Sequence, residues 1–285
     1  MLIPADLAAN CRKTREGTAW LEALPNVVQE LTARWSLEVE APYDSLDVTA
    51  SWVAPVGLPD GAPAVLKVGL PHMEAHHEAD GLRFWDGDPT VYLLDGDSGL
   101  NALLLERCTP GTPLRNETDD QQDVVIASLL RRLWQRTSPG HPFRPLSTML
   151  SVWSDETRAQ EDAWPDATLV GEGLDLFEEL AQGGQERVLL ATDLHAGNVL
   201  RAEREPWLVI DPKPFVGDPA YDATQHLFNC LPRMLTDPHE TIRRFASLLD
   251  IAADRVRLWM FARAAAEPRD VWCDERWRLA TILAP

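Results

Sequence analysis

Lysine is scarce in this chain. Of 26 basic residues only Lys13, Lys67 and Lys213 are lysine, the other 23 being arginine. Because a compact ammonium and a planar guanidinium differ in shape and hydration, a lysine kept in an arginine-rich chain marks a position where the ammonium itself is wanted. Basic charge is also short overall, with 45 acidic residues setting a net charge of -19. That balance excludes a general nucleic-acid binder, which presents a basic face. No apolar run approaches the roughly 18 residues of a membrane span, and the opening MLIPADLAANCRKTREG has no signal-peptide core, so a cytoplasmic protein without membrane partners is expected. The four cysteines, Cys11, Cys108, Cys230 and Cys273, have neither C-x-x-C spacing nor a nearby histidine pair. Zinc and disulfide frameworks are thereby disfavoured. Internal repeats and low-complexity segments are lacking too.

What is present is the composition of a packed protein, 45% apolar and 25% charged. At about 150 residues per domain, the 285 residues suggest two domains or one bilobed unit. Apolar residues recur at helical spacing from Thr18 to Trp35, and Pro25 predicts a break or restart there. Short β-prone runs follow at Leu46–Val56, Ala64–Val68, Val91–Leu94 and Ala102–Leu105, with one helix between them at Glu74–Trp85. After Cys108-Thr109-Pro110-Gly111-Thr112-Pro113 the pattern turns helical, which sets the expected domains at 1–107 and 108–285. Asp237, Pro238 and Glu240 read as an N-cap, a first-turn proline and a capping-box carboxylate. One β-type interruption, Val188–Leu190, Val199-Leu200 and Trp207–Ile210, sits inside this helical part.

That interruption holds the informative segment, LATDLHAGNVLRAEREPWLVIDP, residues 190–212. Asp193 and Asn198 stand five apart, a hairpin follows, and Asp211 ends an apolar strand. Three oxygen-bearing side chains so placed suit magnesium, which takes a few protein oxygens and completes its shell with phosphate oxygens and water. The same layout in protein kinases gives the first Asp to the hydroxyl proton and the Asn and second Asp to metal ions. D-x4-N alone carries no weight. Joined to the hairpin, the second Asp and a preceding small sheet with an apolar-flanked Lys67, it is specific.

Through Lys67, Leu104-Leu105-Glu106-Arg107, the Asp193 loop, Asp211 and Gly217-Asp218-Pro219-Ala220-Tyr221-Asp222, the chain resembles the aminoglycoside phosphotransferase family of kinase-like folds. Within it the resemblance is to the branch of streptomycin 6-phosphotransferases and hydroxyurea phosphotransferases. It implies an α+β, bilobed, protein-kinase-like fold with a small β-rich N-lobe and a mainly helical C-lobe. It also implies ATP and Mg2+ as cofactors, Asp193 as catalytic base, Asn198 and Asp211 as magnesium ligands, and Lys67 on the α- and β-phosphates. Glu78, or failing it Glu74, would pair with Lys67. The backbone of Glu106 and Cys108 would meet the adenine edge, and Asp222 would brace the catalytic loop unless it is only the N-cap of a helix opening at Ala223.

Two departures stand out. Ala191-Thr192-Asp193 replaces the family's His-Gly-Asp, so another group must structure that loop. Asp44–Ser51, the nucleotide-covering loop, has no glycine, although backbone amides that cradle phosphates normally use glycine to come close. Ser45, Thr49 or Ser51 would then supply phosphate cover. His195 is expected to shape its loop. His226, one turn past Asp222 with Gln225 and Asn229 on a helix expected to face the acceptor, is either an acceptor contact or a satisfied buried histidine. Trp153 and Trp164 flank Asp155, Glu156, Glu161 and Asp162, which with Asp218 could collect a cationic acceptor or form a solvated face. The expected reaction is transfer of the ATP γ-phosphoryl group to a hydroxyl of a small cationic aminoglycoside or aminocyclitol such as streptomycin. A metabolic sugar or amino-sugar kinase and a catalytically weak pseudokinase-like binder are the rivals.

Overall fold

The computed structural model describes residues 1–44, 50–183, 187–268 and 273–285. They form two compact units, one of residues 1–112 and 200–210, the other of residues 113–199 and 211–285.

The first unit opens with helices α1 (Ala5–Cys11) and α2 (Arg15–Trp35). Leu21, Leu24, Val28 and Leu31 of α2 recur at helical spacing and are buried. Contrary to the expected break, α2 runs unbroken through Pro25. Pro25 lies on the exposed face, where water can meet the carbonyl left without an amide partner. Strands β1 (Glu38–Val39), β2 (Ser51–Gly57), β3 (Pro63–Gly69), β4 (Leu93–Asp97) and β5 (Ala102–Glu106) pair antiparallel in the order β1-β2-β3-β5-β4. Side-chain alternation gives the sheet two apolar faces. Ala64, Leu66 and Val68 of β3 join the cluster built with α1 and α2, while Val65 turns the other way toward Leu82, Leu103 and Leu105. Leu82 belongs to α3 (Glu78–Trp85), which a 3-10 turn over Glu74–His77 precedes.

The second unit is mostly helical, with α4 (Asp119–Leu133), α5 (Leu146–Arg158), α6 (Ala167–Gln182), and the strand β6 (Val188–Leu190). Next come β7 (Val199–Leu200) and β8 (Leu208–Val209), paired as a two-stranded ribbon, then β9 (Phe215–Gly217), which pairs antiparallel with β6. Residues 200–210, expected in the helical part, pack in the first unit. Arg204 helps to hold them there, its guanidinium bonding both carboxylate oxygens of Glu106 and the carbonyls of Gly87 and Thr90, and the Val209 backbone bonds Pro89 and Val91.

Five helices complete the second unit: α7 (Pro219–Phe228), α8 (Leu231–Thr236), α9 (Pro238–Leu249), α10 (Ala253–Ala266) and α11 (Asp274–Leu283). Trp259 to Ala262 and Ala264 to Ala266 of α10 are all fully buried, so this helix is apolar nearly all round and forms the centre of the unit. Close approach of α6 depends on Gly173, where a Cβ would stand 2.9 Å from that of Ala265. Asp237 caps α9 through the Glu240 amide at 3.0 Å, as its spacing predicts.

Candidate active site

In the first unit, alternation along β3 puts Lys67 opposite in sense to Leu66 and Val68, on the α3 side of the sheet. Its Nζ donates to both carboxylate oxygens of Glu78, at 2.6 and 2.7 Å, and both side chains are buried. Glu78, the first residue of α3, is therefore the partner rather than Glu74, and β3, which carries Lys67, is an inner strand flanked by β2 and β5. At the end of β5 the Glu106 amide donates to the Tyr92 carbonyl at 2.9 Å, and its carboxylate accepts from the Tyr92 amide and Arg204. Burial alone would raise this carboxyl, but the hydrogen bonds from Arg204 and Tyr92 hold it below the ordinary range. Burial, with the nearby Glu106 charge, pushes the Cys108 thiol up to about 12, so it stays neutral. Ser45 and Thr49 lie outside the described residues.

In the second unit the loop that carries Asp193 follows β6 and hangs from one carboxylate. Asp222 Oδ2 accepts from the Ala191 amide at 2.9 Å and Trp134 Nε1 at 3.0 Å, and Oδ1 from the Thr192 amide at 2.7 Å. Complete burial outweighs these donors and pushes the Asp222 carboxyl up to about 6. Asp222 is not a helix cap. Helix α7 starts earlier, at Pro219, and Asp218 caps it through the Ala220 amide at 3.0 Å.

Thr192 supplies what the missing histidine leaves open. Its hydroxyl donates to the Lys213 carbonyl at 2.6 Å, while the Lys213 amide donates to the Ala191 carbonyl at 2.8 Å. Two reciprocal bonds thus tie the Asp193 loop to the segment that follows Asp211. Thr192 and Asp211 both adopt left-handed backbone, at φ 49 and 54 degrees, a conformation uncommon outside glycine and one that functional turns use. His195 shapes the loop as expected, its Nδ1 accepting from the Gly197 amide at 3.0 Å.

Asp193 sits within this frame. Desolvation raises its carboxyl above the usual range, Lys213 opposes that shift, and the negative charge of Asp211 adds to it. Asn198 Nδ2 donates to the Asp193 backbone carbonyl at 3.0 Å, which fixes the amide so that Oδ1 is the atom that could ligate a metal. Asn198 and Asp211 offer hard oxygens, and Asp211 already pairs with an ammonium, Lys213 Nζ. This donor set fits magnesium and suits no soft metal.

The acceptor candidates divide. Asp155, Glu156 and Glu161 are exposed, on the last turn of α5 and just after it, as is Asp162. Asp218 is not an acceptor carboxylate: besides capping α7 it binds Arg255 Nε at 2.6 Å and Trp259 Nε1 at 2.7 Å, and it is buried. His226 is fully buried with Nε2 2.8 Å from Asp123 Oδ1, so the acceptor role is corrected to that of a buried histidine. The spacing could not show this, because Asp123 lies 103 residues away in sequence. Asp123, His226 and Cys230 each bring a ligand atom within 4.8 Å of the others, a grouping able to hold a metal. Here Arg233 supplies the cation, bonding both Asp123 oxygens at 2.6 and 2.7 Å and the Cys230 sulfur at 3.0 Å.

Residues 34–275 match the aminoglycoside/hydroxyurea antibiotic resistance kinase family. This chain belongs to that family. A streptomycin 6-kinase of Streptomyces glaucescens is 40% identical over 77% of this chain and 72% of its own length. Another, from Streptomyces griseus, is 35% identical over 92% of this chain and 88% of its own length. The choline kinase LicA from Streptococcus pneumoniae shares the fold at a TM-score of 0.60 and 14% identity, covering 91% of this chain and 90% of that one. The family member described here is accordingly a kinase-fold phosphotransferase acting on a hydroxyl of a small molecule. Of the two departures behind the pseudokinase-like alternative, the absent histidine is answered by Thr192 and Asp222, which hold that loop, while the glycine-free segment lies mostly outside the described residues.

Proposed function

We propose that this kinase transfers the γ-phosphoryl group of ATP to a hydroxyl of streptomycin or a closely similar cationic aminocyclitol, inactivating an antibiotic. The observation that carries the reading is the desolvated Asp193 carboxylate, on a loop whose backbone is held by Asn198 and by the Asp222 brace, in a chain related to two streptomycin 6-kinases. Asp193 receives the acceptor proton as the hydroxyl oxygen attacks the γ-phosphorus and the bond to the β–γ bridging oxygen breaks to release ADP, and its raised pKa makes it a better base than an exposed aspartate. Asn198 Oδ1 and the Asp211 carboxylate would hold magnesium, which when bound neutralises charge on the phosphate oxygens. Lys67, kept in place by Glu78, supplies an ammonium for the α- and β-phosphates. The exposed carboxylates of Asp155, Glu156 and Glu161 would receive the guanidinium groups through forked hydrogen bonds.

Steady-state kinetics and calorimetry of two variants test this. Asp193→Asn should lower phosphoryl transfer to streptomycin by at least about 100-fold while nucleotide affinity stays within a few-fold. Asp211→Asn should instead weaken magnesium-dependent nucleotide binding. Near-normal turnover in Asp193→Asn overturns the base assignment, and a neutral sugar preferred over streptomycin overturns the acceptor.

A further inference from the structure

Helix α7 presents two polar side chains three residues apart, hence on one face. Asp222 holds the backbone of the catalytic loop, and Gln225 reaches its carboxylate: Gln225 Nε2 donates to Asp193 Oδ1 at 2.7 Å. The far end of the amide is also occupied, its Oε1 accepting from Arg263 Nη2 at 3.0 Å. A glutamine amide has a donor end and an acceptor end of nearly equal shape. Arg263 removes the ambiguity, because a guanidinium only donates and so takes the oxygen end. The amide hydrogens are thereby committed to Asp193.

Arg263 is itself immobilised. It is buried on the central helix α10, bonds Thr224 Oγ1 at 2.7 Å and Glu267 Oε2 at 3.0 Å, and lies over the rings of Trp153, Tyr221 and Phe228. Glu267 is also approached by Arg276 at 3.4 Å. The chain Glu267–Arg263–Gln225–Asp193 therefore starts in the core and ends on one oxygen of the proposed base.

We infer that Gln225, oriented by Arg263, is a positioning residue that occupies Asp193 Oδ1 and presents Oδ2 to the acceptor hydroxyl. A freely rotating carboxylate would offer either oxygen along changing directions. Misplacement by about 1 Å at a reacting centre is enough to cost about 100-fold in rate. The inference rests on Asp193 being the base.

Gln225→Glu is the decisive variant. It keeps the length and shape of the side chain and pairs more strongly with Arg263, but its carboxylate has no hydrogen to donate to Asp193. The protein should still fold, with a Tm no higher than the parent's because the new carboxylate stands against that of Asp193, bind nucleotide normally by calorimetry, and keep acceptor KM within about threefold, while kcat falls at least about tenfold. Gln225→Ala should lose kcat similarly, and Gln225→Asn should recover part of it. Wild-type kcat in Gln225→Glu would overturn the inference, since a spacer or packing role survives that change. So would a loss expressed in acceptor KM at constant kcat, which would make Gln225 an acceptor contact. Asp193→Asn measured in parallel separates the two readings: an active Asp193→Asn removes the base, whereas an inactive one beside a fully active Gln225→Glu removes only the positioning role.

Discussion

Thr192 shows how one side chain can replace a loop's usual architecture. Its amide goes to Asp222 and its hydroxyl to the Lys213 carbonyl, and both bonds are buried. A buried carbonyl left without its donor costs about 1–3 kcal/mol. Thr192→Val keeps shape and volume and removes only the hydroxyl, so stability should fall by about that amount in urea denaturation. The same bond joins the Asp193 loop to the Asp211 segment, so, with Asp193 as the proposed base, kcat should fall and the magnesium requirement for nucleotide binding should rise together. Thr192→Ser, which keeps the hydroxyl, should restore both. Unchanged magnesium dependence in the valine variant would show that the two segments are held in register by the Lys213 amide alone.

Among the elements, α7 does most to build the site, since it delivers Asp222, Gln225 and, at its cap, Asp218. Asp218→Ala removes the cap and leaves Arg255 and the Trp259 indole without their carboxylate, so a loss of about 3 kcal/mol is expected in denaturant titrations. Asp218→Asn retains a capping oxygen and should lose less; equal losses would assign the effect to the lost charge beside Arg255 rather than to the cap. The elements were unequally legible in sequence. Strands β2, β3 and β5 and helix α9 announce themselves by alternation, turn residues and capping chemistry, and the Asp193, Asn198, Asp211 spacing marks the catalytic loop. Helix α7 is read too short, opening at Ala223, because Asp218-Pro219 and Asp222 both look like starts. Pro25 misleads because it sits on a solvated face of a long, well-packed helix. Gln225 can be placed on α7 from sequence, but its bond to Asp193 cannot, for it depends on Arg263 nearly forty residues further on, 38 by number. His226 and Asp218 look like acceptor groups until their distant partners, Asp123 and Arg255, are seen.

At the scale of the whole molecule, a net charge of -19 surrounds the exposed carboxylates of Asp155, Glu156 and Glu161. A field of that sign concentrates a polycationic acceptor, and salt screens it, the Debye length shrinking from about 10 Å at 0.1 M to about 3 Å at 1 M. KM for streptomycin should therefore rise with ionic strength while kcat changes little, and Glu161→Lys should reproduce the rise at low salt. A salt-insensitive KM would leave the acidic surface a device for solubility. The Arg204 latch has a consequence of another kind, in the order of synthesis. Residues 1–112 emerge first from the ribosome, yet their unit lacks the hairpin of residues 200–210, and with it the guanidinium that Glu106 binds. Chain growth at about 5–20 residues per second leaves several seconds in which that carboxylate and the Gly87 and Thr90 carbonyls wait for their partner. The nascent N-terminal unit is thus unfinished until most of the helical unit has been made, and neither can be cut from the gene as one uninterrupted piece.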